Sequence, residues 1–387
     1  MIPTKNNMIS LIKSTFYKEE EVTRDLINFL REAKKLSMGE QCLLFEKKLA
    51  SWQGRKESVL VNSGSSANLA LLQALLNLGR LKRGDRVGFS SLTWATNVMP
   101  IIQLGLIPVP IDVEIETLNV SSKKLLDVTE EVFGSKIQCL FITNLLGLCD
   151  DLDVIKEICD KQGIILIEDN CESMGSVYQG VNLGNFGIAS TFSFYVGHHL
   201  STIEGGAVMT NDRQLADMLR MVIAHGWKRD IDVKLDFYER YTFYDLGYNL
   251  RPTEITGLLG VVGIKHLDEI VSRREANANL LSFIYDSLRV YKLRSSHLDR
   301  YSSFSTPIVC KTEADKLKIV KKCDQLDIES RPIVGGNITQ QPFFKKYVGE
   351  ISCPNAEIIH RNGLYVANNP ELDVEEIETI GKALWLK

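Results

Sequence analysis

No lysine occurs between Lys161 and Lys228, so chemistry that needs a primary amine from that stretch is excluded. Paired metal-binding cysteines are missing too. Cys42, Cys139, Cys149, Cys159, Cys171, Cys310, Cys323 and Cys353 are scattered, and no two form a CxC or CxxC arrangement. Such spacing gives no support to zinc ribbons, thioredoxin-like motifs or common iron–sulfur ligand sets. Cys139 and Cys159 fall in apolar-periodic segments and read as buried thiols, which points to a reducing, cytoplasmic compartment. Positive charge is not in excess: the net charge is −4 and no basic stripe is interleaved with aromatics. That argues against nucleic acid as the main partner. No apolar run approaches the roughly 18 residues of a membrane span, and residues 1–14 lack the apolar core of a signal peptide. Low-complexity segments and internal repeats are absent as well.

What is present is an ordinary globular composition in a chain of 387 residues, enough for roughly two domains. The pattern divides at about residue 265: a large domain with an N-terminal helical segment over 1–264, and a smaller α/β domain over 265–387. Helical spacing marks residues 23–35 and 41–52. Between 58 and 210 short apolar strands (58–62, 86–90, 107–111, 137–143, 164–167) alternate with helical stretches (69–78, 92–104, 152–162). This alternation predicts an α/β fold with a mostly parallel central sheet. Residues 215–224 and 255–264 read as helices, 228–244 as an excursion and 269–288 as one long helix. The smaller unit has expected strands near 304–309 and 328–333 and helices near 312–326 and 357–364.

Four stretches carry chemistry. Strand 58–62 runs through Ser63-Gly64-Ser65-Ser66 into an apolar helix, which sets free backbone N–H groups and hydroxyls at a helix N-terminus, a place that favours phosphate. A plain serine N-cap has the same sequence. Trp94 stands at the mouth of a strand–helix turn, where it either lies flat on a planar ring or fills the core. The strand ending Glu168-Asp169-Asn170 places carboxylates where open α/β sheets bind ligands. There Asp169 either holds a positive partner or caps a neighbouring element. Finally, Ser190–Gly206 breaks at Val196-Gly197, delivers His198 and His199, and continues through Glu204-Gly205-Gly206 into another strand. The histidines are catalytic groups on a rigid frame or merely turn residues. Taken together, a phosphate cup (Gly64, Ser65), an aromatic stacker (Trp94), a strand-end carboxylate (Asp169) and a hydroxyl (Ser193) are the groups needed to hold pyridoxal phosphate.

The stretches Asn62-Ser-Gly-Ser-Ser-Ala-Asn68, Glu168-Asp-Asn170, Ser193-Phe194, Glu204-Gly-Gly206 and Gly247-Tyr-Asn-Leu-Arg251 resemble, in order and over nearly the whole chain, the sugar aminotransferase family acting on nucleotide-linked keto-sugars. The resemblance implies the fold of PLP fold type I. It also implies that Gly64, Ser65 and Ser193 hold the phosphate, that Trp94 stacks on the pyridine ring and that Asp169 pairs with its nitrogen. Asn249 would reach the phosphate of the neighbouring subunit in a two-fold homodimer. One departure stands out. Where the family places its cofactor-tethering lysine, five residues after the motif's serine, this chain has His198. With Glu168-Asp-Asn-Cys-Glu-Ser-Met-Gly175 and the His198-His199 pair, that substitution is similar to the sugar 3-dehydratases within the family. One branch of these binds an iron–sulfur cluster, but residues 225–248 hold no cysteine, so the cluster-free branch is the expected one. The implied reaction takes an amino group from L-glutamate to give pyridoxamine phosphate, which acts on a nucleotide-linked 4-keto-6-deoxyhexose, best matched by GDP-4-keto-6-deoxy-D-mannose. His198 would serve as the proton-removing base, since a neutral imidazole titrates near the working pH. Arg251, Arg331 and the turn Gly335-Gly336-Asn337 are candidate contacts for the glutamate carboxylate or the nucleotide diphosphate, or else surface ion pairs. His199 has no assigned role, and a solvent-facing place or one behind the site both remain. A sugar 4-aminotransferase with an unusual base, or a cofactor-binding protein without catalysis, are the competing readings.

Overall fold

The computed structural model describes residues 8–131, 136–227 and 241–386. Its strands are β1 (Glu57–Val61), β2 (Arg86–Ser90), β3 (Ile107–Ile111), β4 (Cys139–Thr143), β5 (Ile165–Asp169), the short hairpin β6 (Val177–Tyr178) and β7 (Val181–Asn182), then β8 (Ala189–Ser193) and β9 (Gly206–Thr210). Three more follow: β10 (Thr306–Val309), β11 (Ser330–Arg331) and β12 (Gly363–Val366). The central sheet has the order β1-β9-β8-β5-β4-β2-β3. β3, β2, β4, β5 and β8 run parallel, while β9 is antiparallel to both β8 and β1.

A mostly parallel sheet must be covered on both faces, because its crossover helices lie there. β4 shows the consequence in sequence: Cys-Leu-Phe-Ile-Thr is buried throughout. Its residues alternate between two cores, as a period of two requires. Cys139 and Phe141 pack with Leu71, Leu75, Phe89 and Leu219 on one face. Leu140 and Ile142 pack with Leu152, Ile155 and Leu166 on the other. A second, antiparallel sheet of order β10-β12-β11 carries its own core, including Ile308, Ile319, Leu364 and Ile380. Ile9 belongs to that core and bridges Ile328, so the start of the described chain lies against this C-terminal unit.

Several boundaries differ from the sequence reading for local reasons. The helix expected from 69 begins at Gly64, because the Ser63 hydroxyl accepts the Ser66 N–H at 3.1 Å and caps it. The single helix expected over 92–104 is a 3₁₀ turn, Ala95–Asn97, followed by Met99–Gln103, with Pro100 in its first turn. Proline is tolerated there since that N–H has no helical acceptor. The long helix over 269–288 is Leu267–Leu280 and then a 3₁₀ turn, Ser282–Asp286, which lays Ile284 into the C-terminal core. The strand over 328–333 shrinks to Ser330–Arg331 before Pro332, which has no N–H to extend a ladder. The helix placed at 357–364 is Pro354–Asn362 and gives way to β12. Of the excursion at 228–244, residues 228–240 lie outside the described residues; Phe243 bridges back to Trp227. All eight cysteines are free thiols. Among the described residues no helix is long and apolar enough to cross a membrane.

Candidate active site

At the carboxyl ends of the parallel strands opens a cavity of about 470 Å³. It brings together most of the residues singled out in sequence: Gly64, Ser65, Trp94, Asp169, Ser193, His198 and Arg331 all line it. Among the described residues no lysine lines it.

The two carboxylates ending β5 divide their work by strand alternation. Glu168 is fully buried and points away from the cavity. Its Oε1 accepts the N–H groups of Phe186 (2.8 Å) and Gly187 (2.7 Å), and its Oε2 those of Gly184 (2.9 Å) and the Asn144 side chain (3.0 Å). Asp169 lines the cavity, 5% exposed, and is held rigid from behind. Its Oδ2 accepts from Asn68 Nδ2 (3.0 Å) and Asn97 Nδ2 (2.7 Å), and its Oδ1 from Cys171 N (2.9 Å). Thr93 Oγ1 in turn lies 3.0 Å from Asn97 Oδ1 and 2.7 Å from Thr143 Oγ1. Asn68 and Asn97 escaped the sequence reading, although Asn68 stands inside the quoted Asn62–Asn68 motif.

Around Gly64 several segments approach closely. A Cβ on Gly64 would sit 2.6 Å from Ser193 Cβ and 3.2 Å from Cys171 Sγ, so only glycine lets the helix start lie against the end of β8. A Cβ on Gly206 would meet Ser63 C at 2.5 Å. Ser63 serves as N-cap, and the amides of Gly64 and Ser65 belong to the first turn, whose N–H groups have no acceptor within the helix. The serine cap is thus at Ser63, and the first-turn amides of Gly64 and Ser65 remain available beside it.

The turn after β8 is closed by backbone hydrogen bonds, His198 N to Tyr195 O (2.9 Å), Phe194 N to Gly205 O (2.9 Å) and Thr202 N to Phe194 O (2.8 Å). His198 faces the cavity with Tyr195 on one side and Phe304 on the other, ring centroids 6.1 and 5.3 Å away. Its Nδ1 is buried without a hydrogen-bond partner. Burial pushes its pKa down from 6.5 to about 4, against a smaller opposing pull from Asp169, so the imidazole is neutral across the physiological range. His199 is not solvent-facing: it is 4% exposed, its Nε2 lies 3.3 Å from Ser302 O, and burial holds it well below the ordinary histidine range.

Trp94 is 56% exposed and lies over the cavity rather than in the core. Arg331 lines the cavity while ion-paired to Glu329 at 2.7 Å. Two further lining residues went unnoticed in sequence. Glu172 receives the Leu146 N–H at 3.1 Å, and burial raises its pKa to about 8, so at neutral pH it is a carboxylic acid. Tyr365 sits opposite Arg331 in the β11–β12 ladder. Asn249 and Arg251 do not line this cavity; they lie near the surface, with Arg251 Nε donating to Asn249 Oδ1 at 3.1 Å. None of residues 335–337 lines this cavity, and the turn is tightly packed. A Cβ on Gly335 would meet Thr93 O at 2.4 Å, and Asn337 is fully buried, capping the turn after it.

These residues fit a phosphorylated pyridine cofactor: a glycine-walled cup with free amides and a hydroxyl, a fixed carboxylate, and an exposed indole. Among the described residues no group of three metal-ligating side chains is placed to hold a metal ion.

The DegT/DnrJ/EryC1/StrS aminotransferase family model matches residues 17–385. GDP-4-keto-6-deoxy-D-mannose 3-dehydratase of Yersinia pseudotuberculosis is 33% identical over 383 residues, covering 94% of this chain and 95% of that protein. The solved structure of E coli GDP-4-keto-6-deoxy-D-mannose-3-dehydratase with bound hydrated PLP superposes with a TM-score of 0.88 at 31% identity, covering 97% of this chain and 99% of that one. A GDP-4-keto-6-deoxymannose-3-dehydratase structure with a trapped PLP-glutamate geminal diamine gives 0.89 at 31% identity, with the same coverage of 97% and 99%. The fold is that of the PLP-dependent sugar aminotransferases, fold type I.

Proposed function

This chain belongs to the DegT/DnrJ/EryC1/StrS aminotransferase family, and from that premise we propose that it is a pyridoxal/pyridoxamine phosphate-dependent 3-dehydratase. Its substrate is a nucleotide-linked 4-keto-6-deoxyhexose, GDP-4-keto-6-deoxy-D-mannose on the strength of its relatives, with L-glutamate as amino donor. The observation that carries this reading is a cofactor cradle with His198, and among the described residues no lysine, at its reacting end.

When bound as the amine, the cofactor supplies a nitrogen that condenses with the substrate's 4-keto carbon and a ring that accepts electrons. The Gly64 and Ser65 amides and the Ser193 hydroxyl would hold the phosphate, Trp94 would cover one face of the ring, and Asp169 would pair with the ring nitrogen and keep it protonated. His198, neutral and at the cavity wall, would take the proton from the carbon bearing the amine, and the hydroxyl at sugar carbon 3 would leave. Overall, L-glutamate and the 4-keto-6-deoxy sugar would give 2-oxoglutarate, ammonia and a 4-keto-3,6-dideoxy sugar. Histidine does the proton transfer that lysine would do, but it cannot capture the aldehyde form and complete an amino transfer.

Arg331 and Arg251 are the proposed substrate contacts. We place the working unit in a two-fold homodimer in which Asn249 reaches the partner subunit's phosphate site. The exposed Ile27, Leu30, Leu43 and Leu44 on the first two helices, and Phe243 and Leu246 near Asn249, support that assembly. The division at residues 264 and 265 is our domain boundary, and eight free thiols support a cytoplasmic setting. Borohydride reduction of the loaded enzyme followed by intact-protein mass spectrometry tests the reading: the protein mass stays unchanged. A reduced cofactor adduct on any lysine overturns it.

A further inference from the structure

Behind the two histidines, lining one small void with them, lies a guanidinium that forms no ion pair with a carboxylate among the described residues. Arg274, on the helix Leu267–Leu280, is 4% exposed, and its Nε is buried with no partner. Its Nη1 instead faces three carbonyl oxygens: Phe304 at 2.7 Å, Asn368 at 2.7 Å and Ser303 at 3.4 Å. Asn368 closes the clamp, its Nδ2 donating to Arg274 O at 3.0 Å and Ser303 O at 3.2 Å. The segment so gripped carries the groups that touch the histidines. Phe304 packs its ring 5.3 Å from His198 and 6.3 Å from His199, and Ser302 O lies 3.3 Å from His199 Nε2. A buried cation bound only by carbonyl dipoles is costly to keep, and packing alone would be met by a neutral side chain.

We propose that Arg274 is a positioning residue for the reaction: through the carbonyls of residues 303 and 304 it sets the Phe304 ring against His198, and its buried charge opposes a second positive charge on either imidazole. This rests on the reading of His198 as the base. The charge acts in the same direction as burial at both histidines and against Asp169, the carboxylate that favours a protonated His198. Glu172, Glu204 and Arg331 face His198 across the cavity, and Tyr17 and Glu371 line the small void on its other side.

Three variants separate the parts. Phe304→Leu removes the ring and keeps the charge; Arg274→Lys keeps the charge but not the planar fork; Arg274→Gln removes the charge. In Phe304→Leu and Arg274→Lys we expect kcat to fall about ten- to a hundredfold, as for a base displaced by a fraction of an ångström, with KM and the acid limb of the pH profile unmoved. In Arg274→Gln the acid limb moves up, and so do the titration midpoints of the His198 and His199 ring protons read by NMR in the resting protein, with both still held below the free-histidine value by burial. A folded Arg274→Gln protein whose midpoint and acid limb match the parent overturns the electrostatic part. A Phe304→Leu enzyme with full kcat overturns the positioning part. The NMR midpoint needs no turnover, so it stays informative if His198→Ala proves active and the base assignment itself fails.

Discussion

The His198 side chain contributes little to holding the fold together: its Nδ1 is unpartnered, and its contacts are ring edges from Tyr195 and Phe304. Replacing it with alanine should therefore separate chemistry from folding. We expect His198→Ala to lower kcat by roughly 10²–10⁴-fold, the usual contribution of a general base, with an unchanged thermal melt; steady-state assays beside circular dichroism check this. Gly64→Ala makes the complementary test at the phosphate end. The added methyl would meet Ser193 Cβ at 2.6 Å, so the cup must open. Cofactor should then be lost on dialysis, followed by absorbance, while the protein stays folded. At this scale the sequence showed residue types and order but not direction. Glu168 and Asp169 are adjacent carboxylates in the chain, and only the placement of β5 between β4 and β8 decides that one pins loops and the other faces the ligand. His199 and Arg274 carry no sequence signal of their own, because their meaning comes from burial.

Two carboxylates hold elements in place from outside them. Glu168 satisfies four N–H groups of the 184–187 turn and Asn144. Glu254, at the start of the helix Glu254–Gly263, takes the Gly39 and Cys42 amides on Oε1 and the Gln41 amide on Oε2, capping the helix Glu40–Gln53. Each orphaned buried donor costs about 1–3 kcal/mol. Glu254→Ala should therefore lose on the order of 3 kcal/mol or more in urea unfolding, whereas Glu157→Ala, in an exposed ion pair with Lys161, should lose less than about 1 kcal/mol. The helix expected near 312–326 was legible to about a residue at each end, with Thr312 as its cap, whereas the helix expected from 69 starts five residues earlier, at the cap that Ser63 supplies. The capping box of Asp373 and Glu376 was equally visible and marks the helix Val374–Leu384, which the periodicity reading passed over. Illegible were the breaks imposed by packing: the 269–288 stretch keeps helical periodicity, yet its end turns 3₁₀ to seat Ile284.

Over the whole molecule the buried titratable groups shape stability from both sides. Unfolded imidazoles take protons from about pH 6.5 downward, whereas His198 resists until about 4 and His199 resists further still. Stability should thus fall as pH drops through that window. Glu172 has the opposite sign: folded, it keeps its proton up to about pH 8, while unfolded it releases it near 4.5, so its contribution is lost as pH rises across that range. Denaturant midpoints from pH 4 to 9 check both slopes; the two windows overlap with opposite sign between about 4.5 and 6.5, so Glu172→Gln should flatten the loss above 6.5 and steepen the loss on acidification below it. The α/β class and the mostly parallel sheet followed from alternation alone, because buried parallel strands need unbroken apolar runs. What alternation could not supply was the meeting of β11 and β12 with the ends of the central strands, which brings Arg331 and Tyr365 to the cavity. The central claim is elimination in place of amino transfer. The decisive measurement is product analysis after incubation with L-glutamate and GDP-4-keto-6-deoxy-D-mannose. Ammonia and a GDP-linked 4-keto-3,6-dideoxy sugar are the predicted products, and a GDP-linked 4-amino sugar would contradict the account.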